Sequence, residues 1–184
     1  MVDEPPTAPL DLEGIVRAML RREWKVENPH AWQLSGIRVL ARGGCLLLVQ
    51  RTGSGKSIVL YGTATLLRNV TLVVIPLISL GLDQTIRAMR SLRVLAYHLD
   101  ELRSGDKAAA IELLSALQRG ERTVILFASP QSLDPESDWH CVVLSLIERG
   151  LLSLVAIDEA HCVPLQGIES FRLEFAKLYD WLLK

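Results

Sequence analysis

CLLLVQRTGSGKS, residues 45–57, joins an apolar run of strand length to a glycine-rich turn that closes on lysine and serine. The run is nearly continuous in leucine and valine, as expected of a strand covered on both faces. Gly53 and Gly55 let the backbone curl so that several amide N–H groups converge on one point. A helix-length segment, 56–68, follows, and its N-terminus adds partial positive charge there. Strand, glycine turn and helix in this order predict a phosphate cradle formed by Thr52, Gly53, Ser54, Gly55, Lys56 and Ser57. Lys56 would reach the β and γ phosphates of a nucleotide, and the Ser57 hydroxyl would ligate magnesium. The pattern G-x-x-x-x-G-K-[ST] asks for glycine at position 50, where this chain has Gln50; residues 52–57 keep T-G-x-G-K-S.

Further strand-length apolar runs lie at 70–75, 93–98, 123–128 and 152–157. Helix-length segments at 80–91, 106–118 and 135–149 separate them, and two helices, 12–24 and 29–41, precede the whole series. Segment 106–118 puts Ile111, Leu114 and Leu117 on one face with Gly120 beyond its end; segment 135–149 starts at Asp134-Pro135, a cap followed by a first-turn proline. Strand and helix alternating in this way predict an α/β fold with a parallel sheet between helices. No internal repeat, low-complexity segment or linker interrupts the order.

At 184 residues the length favours one domain, and a formal net charge of −1 gives no general basic field for nucleic acid, so any such contact is local. Residues 1–11 carry Asp3, Glu4 and prolines with no apolar segment, predicting a disordered leader that is neither a secretory signal nor a transit peptide. The longest apolar stretch, 141–157, is broken by Glu148, Arg149 and Gly150, which excludes a membrane span. The three cysteines (Cys45, Cys141, Cys162) form no C-x-x-C pair, and the four histidines show no ligand spacing with them, so a disulfide framework and a zinc site lack support. The expectation is a soluble intracellular protein.

A phosphate loop needs a carboxylate at the end of another strand to hold magnesium, and a base beside it to orient water. The run 152–157 ends on Asp158-Glu159 and supplies both: Asp158 for the metal, Glu159 for the water.

Asp158-Glu159-Ala160-His161-Cys162 resembles motif II of superfamily 2 helicases, and the cysteine is similar to that of the RecQ-like DNA helicases. Val74-Ile75-Pro76-Leu77-Ile78-Ser79-Leu80 followed by Asp83-Gln84 resembles the RecQ-like motif Ia, and Ala128-Ser129-Pro130-Gln131 with Leu133 resembles the family's A-P-E-R-L segment. The resemblance covers about residues 29–175. It implies a three-layer P-loop NTPase fold of the RecA-like kind over 12–184, binding ATP and Mg2+, in a family that unwinds DNA 3′–5′. By resemblance Lys56, Asp158 and Glu159 are catalytic, Ser57 and Asp158 hold magnesium, Gln33 reads the adenine and His161 relays the nucleotide state. Pro76, Leu77, Phe171 and Arg172 would contact single-stranded or partly duplex DNA, and localisation would be nuclear in a eukaryote, otherwise cytoplasmic.

Several positions depart from the family's pattern. Pro29, His30 and Ala31 stand where it has an aromatic, an arginine and a proline, leaving Gln33 and Trp32 for the base. Gln166 replaces the tryptophan of the loop that couples DNA binding to hydrolysis, while Gly167, Phe171 and Arg172 persist. Residues 168–183 predict an amphipathic helix (Phe171, Phe175, Leu178, Leu182), and the family's motif III strand and second RecA-like domain, with its arginine finger, do not follow. The expectation is therefore a sheet in which 45–50 and 152–157 either close directly or leave a gap, and hydrolysis slowed by the missing finger, worth about 10³ to 10⁵ in rate. Two alternatives stay open: a non-catalytic nucleotide- or DNA-binding module, and part of an RNA helicase.

Overall fold

The computed structural model describes residues 11–75, 78–158 and 160, with the backbone alone for 78–80. The chain divides into two compact units, residues 1–66 and 67–184.

The first unit is helical: α1 (Leu12–Trp24), α2 (Ala31–Ala41) and α3 (Ser57–Leu67), the last ending at the division. Asp11 caps α1 by accepting a hydrogen bond from the Gly14 N–H at 3.0 Å, satisfying one of the amides a helix start leaves unpaired. Val16 and Leu20 of α1 meet Leu34 and Ile37 of α2 and Val59 of α3 in one apolar core. The helices approach closely because Gly62 has no side chain: a Cβ there would stand 2.7 Å from Ile37 Cδ1. Trp24 stacks on Tyr61 with ring centroids 4.8 Å apart, and its indole N–H donates to Thr65 Oγ1.

One expected element is absent from this unit. Residues 44–50 carry no regular secondary structure, and Leu47 and Val49 are 84% and 81% exposed. An apolar run becomes a strand only when neighbours take up its backbone N–H and C=O groups; this one belongs to no sheet among the described residues.

The second unit holds a four-stranded parallel sheet in the order β2-β3-β1-β4, formed by β1 (Asn69–Val74), β2 (Val94–His98), β3 (Thr123–Ala128) and β4 (Leu152–Ile157). Helices α4 (Ile78–Ala88), α5 (Ser104–Ala116) and α6 (Asp138–Glu148) connect successive strands. β1 and β3, paired from Asn69↔Thr123 to Val74↔Ala128, are buried along their whole length, which explains their unbroken hydrophobicity. Leu72, Leu126, Leu114, Leu133, Trp139 and Val143 belong to the core on the α5 and α6 side. β4 is only half-buried: Val155 and Ile157 are 37% and 48% exposed, and its one described partner is β1. The predicted fold class is thus present in four parallel strands with helical connections, and the expected strand over 45–50 is not found among the described residues.

Helix starts differ from expectation in detail. Ser137, not Asp134, caps α6, accepting from the Trp139 N–H at 3.2 Å, while Asp134 turns the chain just before it by accepting from the Glu136 N–H. On α5 the buried face runs through Ala110 and Leu114, with Leu117 buried just past the helix end.

Two predictions arise from this unit. In α4, Gly81, Thr85 and Ala88 face inward, and a Cβ at Gly81 would overlap Ile75 Cδ1 and the buried His98 ring. Gly81→Ala gains about 1 kcal/mol of helix propensity but incurs an overpacking cost of about 1–3 kcal/mol. The expected outcome is a net fall in the urea midpoint; a rise would show that Ile75 and His98 move aside freely. On the surface, Lys107 Nζ sits 2.7 Å from Asp138 Oδ2 and 5.7 Å from the Trp139 ring centroid. Its hydrogen bond, and secondarily its charge, hold the Asp138 carboxyl below the usual carboxylate range. A lowered folded pKa means the contribution is complete above that range and fades as pH falls through it. Asp138→Asn should therefore be less stable than wild type at neutral pH and equal to it in strong acid, read as unfolding midpoints across pH; a gap that does not change with pH would show that the loss does not come from the carboxylate charge.

Candidate nucleotide-binding site

The glycine turn is built as the sequence predicts. Gly53 and Gly55 have φ of 77° and 84°, left-handed values that a side chain would resist, and α3 starts at Ser57 immediately after them. The Ser54 N–H donates to Arg51 O at 3.2 Å, drawing the turn tight, while Ser54 Oγ is buried with no hydrogen-bond partner. Lys56 Nζ donates to the carbonyls of Gln50 and Arg51 at 3.2 and 3.3 Å, so the ammonium folds back over the loop it follows. The Ile58 and Val59 amides of the first helical turn donate to Gly55 O and Lys56 O. An orphan hydroxyl and an ammonium, on a turn with two left-handed glycines that opens a helix, make a donor set that fits an anion, and the residues present therefore fit a nucleotide phosphate.

Gln33 joins this loop across 22 residues of sequence. Its Nε2 donates to Gly55 O at 3.0 Å, and its Oε1 accepts from the His30 N–H at 2.8 Å, where it also completes the capping box of α2. Buried to 4% exposure, Gln33 tethers the phosphate loop to the start of α2. A Cβ at Gly55 would stand 2.9 Å from Gln33 Nε2, so this approach also requires glycine. His30 and Trp32 stack beside it, centroids 5.9 Å apart.

In the second unit, Asp158 leaves the C-terminal end of β4 with its N–H donating to Val74 O at 2.9 Å. Because β1 and β4 are parallel and in register at Val74↔Ile157, the carboxylate emerges at the strand ends, where open α/β sheets place ligands. Gln84 of α4 donates from Nε2 to Asp158 Oδ2. Sequence reading placed Gln84 within a motif but gave it no role; the partnership spans 74 residues and leaves no local signature. At the same sheet end Asp100 accepts from Ser129 N at 2.9 Å and from Ser129 Oγ, fastening the Ser129-Pro130 turn, a second pairing that the sequence does not reveal. Glu159, His161, Pro76, Leu77, Phe171 and Arg172, and the predicted helix over 168–183, lie outside the described residues. Among the described residues no cluster of three or more His, Cys, Asp or Glu could hold a metal, and no helix is long and apolar enough to cross a membrane.

A parallel sheet with an acidic strand end, and a glycine turn opening a helix on lysine and serine, define the class of P-loop nucleotide-binding proteins. The DEAD/DEAH box helicase profile matches residues 30–179, and the chain belongs to that family, on its RecQ-like branch. ATP-dependent DNA helicase Q5 of Rattus norvegicus is 33% identical over 181 residues, covering 97% of this chain and 18% of that protein. ATP-dependent DNA helicase hus2/rqh1 of Schizosaccharomyces pombe is 31% identical over 170 residues (89% and 12%), and RecQ-like DNA helicase blm-1 of Caenorhabditis elegans is 35% identical over 129 (69% and 13%). The chain spans less than a fifth of the length of each of these relatives.

Proposed function

We propose that this chain is the first RecA-like, ATP- and Mg2+-binding domain of a RecQ-like 3′–5′ DNA helicase. The observation that carries the reading is the left-handed Gly53-Gly55 turn with Lys56 folded over it and α3 opening at Ser57. Thr52 to Ser57 bind the phosphates, Lys56 neutralises the β and γ oxygens, and Gln33 holds the loop in shape while lying beside the base. Ser57 and Asp158 would hold magnesium, which when bound supplies charge neutralisation on the transferring phosphoryl group. Glu159 takes the proton of the attacking water, and His161 passes the nucleotide state on. Single-stranded DNA is bound through Pro76, Leu77, Phe171 and Arg172, with an affinity that falls as salt rises because phosphate contacts release counterions. A protein that works on DNA would lie in the nucleus of a eukaryote and otherwise in the cytoplasm.

Titration calorimetry with Mg-ATP tests this reading; equal affinity of wild type and Lys56→Ala would overturn it. A second reading, a module that binds nucleotide without turnover, is favoured by one observation: the run leading into the phosphate loop forms no strand, with Leu47 and Val49 exposed. Phosphate release with and without single-stranded DNA separates the two. Turnover of several per second supports the catalytic reading, and binding with no turnover supports the module.

A further inference from the structure

We propose that Gln84 is a positioning residue for Asp158, tying the orientation of that carboxylate to helix α4. The inference rests on the reading of Asp158 as the magnesium-side carboxylate.

Three observations carry it. The Asp158 backbone is fixed by its N–H bond to Val74 O, and one carboxylate oxygen, Oδ2, accepts from Gln84 Nε2. The amide nitrogen must face the carboxylate, because the amide oxygen there would set two acceptors against each other. The donor's helix is also firmly seated: Gly81 lies against Ile75 and His98, Thr85 and Ala88 are buried, and Thr85 Oγ1 donates to Gly81 O at 2.7 Å.

The chemistry of a glutamine suits this place. A lysine would neutralise the carboxylate and displace a divalent cation, and a glutamate would repel it. A neutral amide fixes one oxygen and leaves the negative charge for the metal. Residues 75–77 are the whole connection between the end of β1, whose Val74 holds Asp158, and the start of α4, whose Gln84 orients it.

The test uses the whole chain. The side-chain amide of Gln84, identified in 15N spectra by its loss in Gln84→Leu, should shift in Asp158→Asn without any ligand. Mn2+ binding at saturating ADP, followed by electron paramagnetic resonance, should weaken about 10-fold in Gln84→Leu and in Gln84→Asn, whose amide is too short to reach. Metal-free ADP affinity and the melting temperature should stay at wild-type values, since a merely structural glutamine would lower the melting temperature and spare metal affinity. An amide that ignores Asp158→Asn, or wild-type Mn2+ affinity in Gln84→Leu, would overturn the proposal. Absence of Mn-ADP binding in wild type would instead overturn the nucleotide reading, and the ligand-free amide shift would then decide the Gln84 contact by itself.

Discussion

Lys56→Ala is expected to reduce Mg-ATP affinity by about 100-fold or more, below calorimetric detection. The ammonium is held against the loop that carries the two left-handed glycines, where it donates to Gln50 O and Arg51 O. Those carbonyls are the partners it would exchange for phosphate oxygens. Charge-assisted hydrogen bonds contribute about 1.5–3 kcal/mol each, and losing two of them amounts to about 3–6 kcal/mol, hence the size of the fall. The alanine variant should keep its fold, because Lys56 is not in the core and its bonds are to exposed local carbonyls. A variant that melts like wild type and binds Mg-ATP equally well would remove Lys56, and with it the phosphate reading of residues 52–57.

Phe127→Ala should be the most destabilising single change in the second unit. Phe127 is fully buried on β3, which has strands on both sides, and it stands in register with Val73 of β1 and His98 of β2. Truncating a buried phenylalanine removes its transfer energy and leaves a cavity its rigid neighbours cannot fill, about 3–5 kcal/mol. Whole domains are stable by only about 5–15 kcal/mol, so the melting temperature should drop by roughly 10 °C or more. Leu47→Ala is the matched control. Leu47 is just as apolar, in a run just as strand-like, yet at 84% exposure its truncation should change stability by no more than about 0.5 kcal/mol. Equal losses in the two variants would mean that residues 45–50 are buried in solution.

That pair of substitutions marks what the residues alone reveal. The helix over 12–24 and the strands over 123–128 and 152–157 stand where patterning puts them, and the other described elements shift by a few residues at their ends, except the run 45–50, which forms no strand. Capping, glycine turns and apolar period act over a few residues and are written locally. The glycine turn over 52–57 is legible for the same reason, since Gly53 and Gly55 and the helix start at Ser57 lie within six consecutive residues. The cap of α6 falls three residues beyond the expected Asp134, at Ser137, whose hydroxyl takes up the Trp139 N–H.

The sequence by itself determined an alternating α/β chain with parallel strands, a phosphate loop at 52–57 and an acid at a strand end. Tertiary structure alone decided which apolar runs became strands, because a strand needs partners on its edges and hydrophobicity cannot name them. Residues 45–50 look like β3 in composition but belong to no sheet among the described residues, so Leu47 and Val49 stand in solvent while Phe127 is sealed. It alone also brought Gln33 to Gly55 and Gln84 to Asp158, contacts 22 and 74 residues apart. A hydrogen bond acts over about 3 Å whatever the length of chain between its ends, so such pairings exist only once the fold has closed the distance.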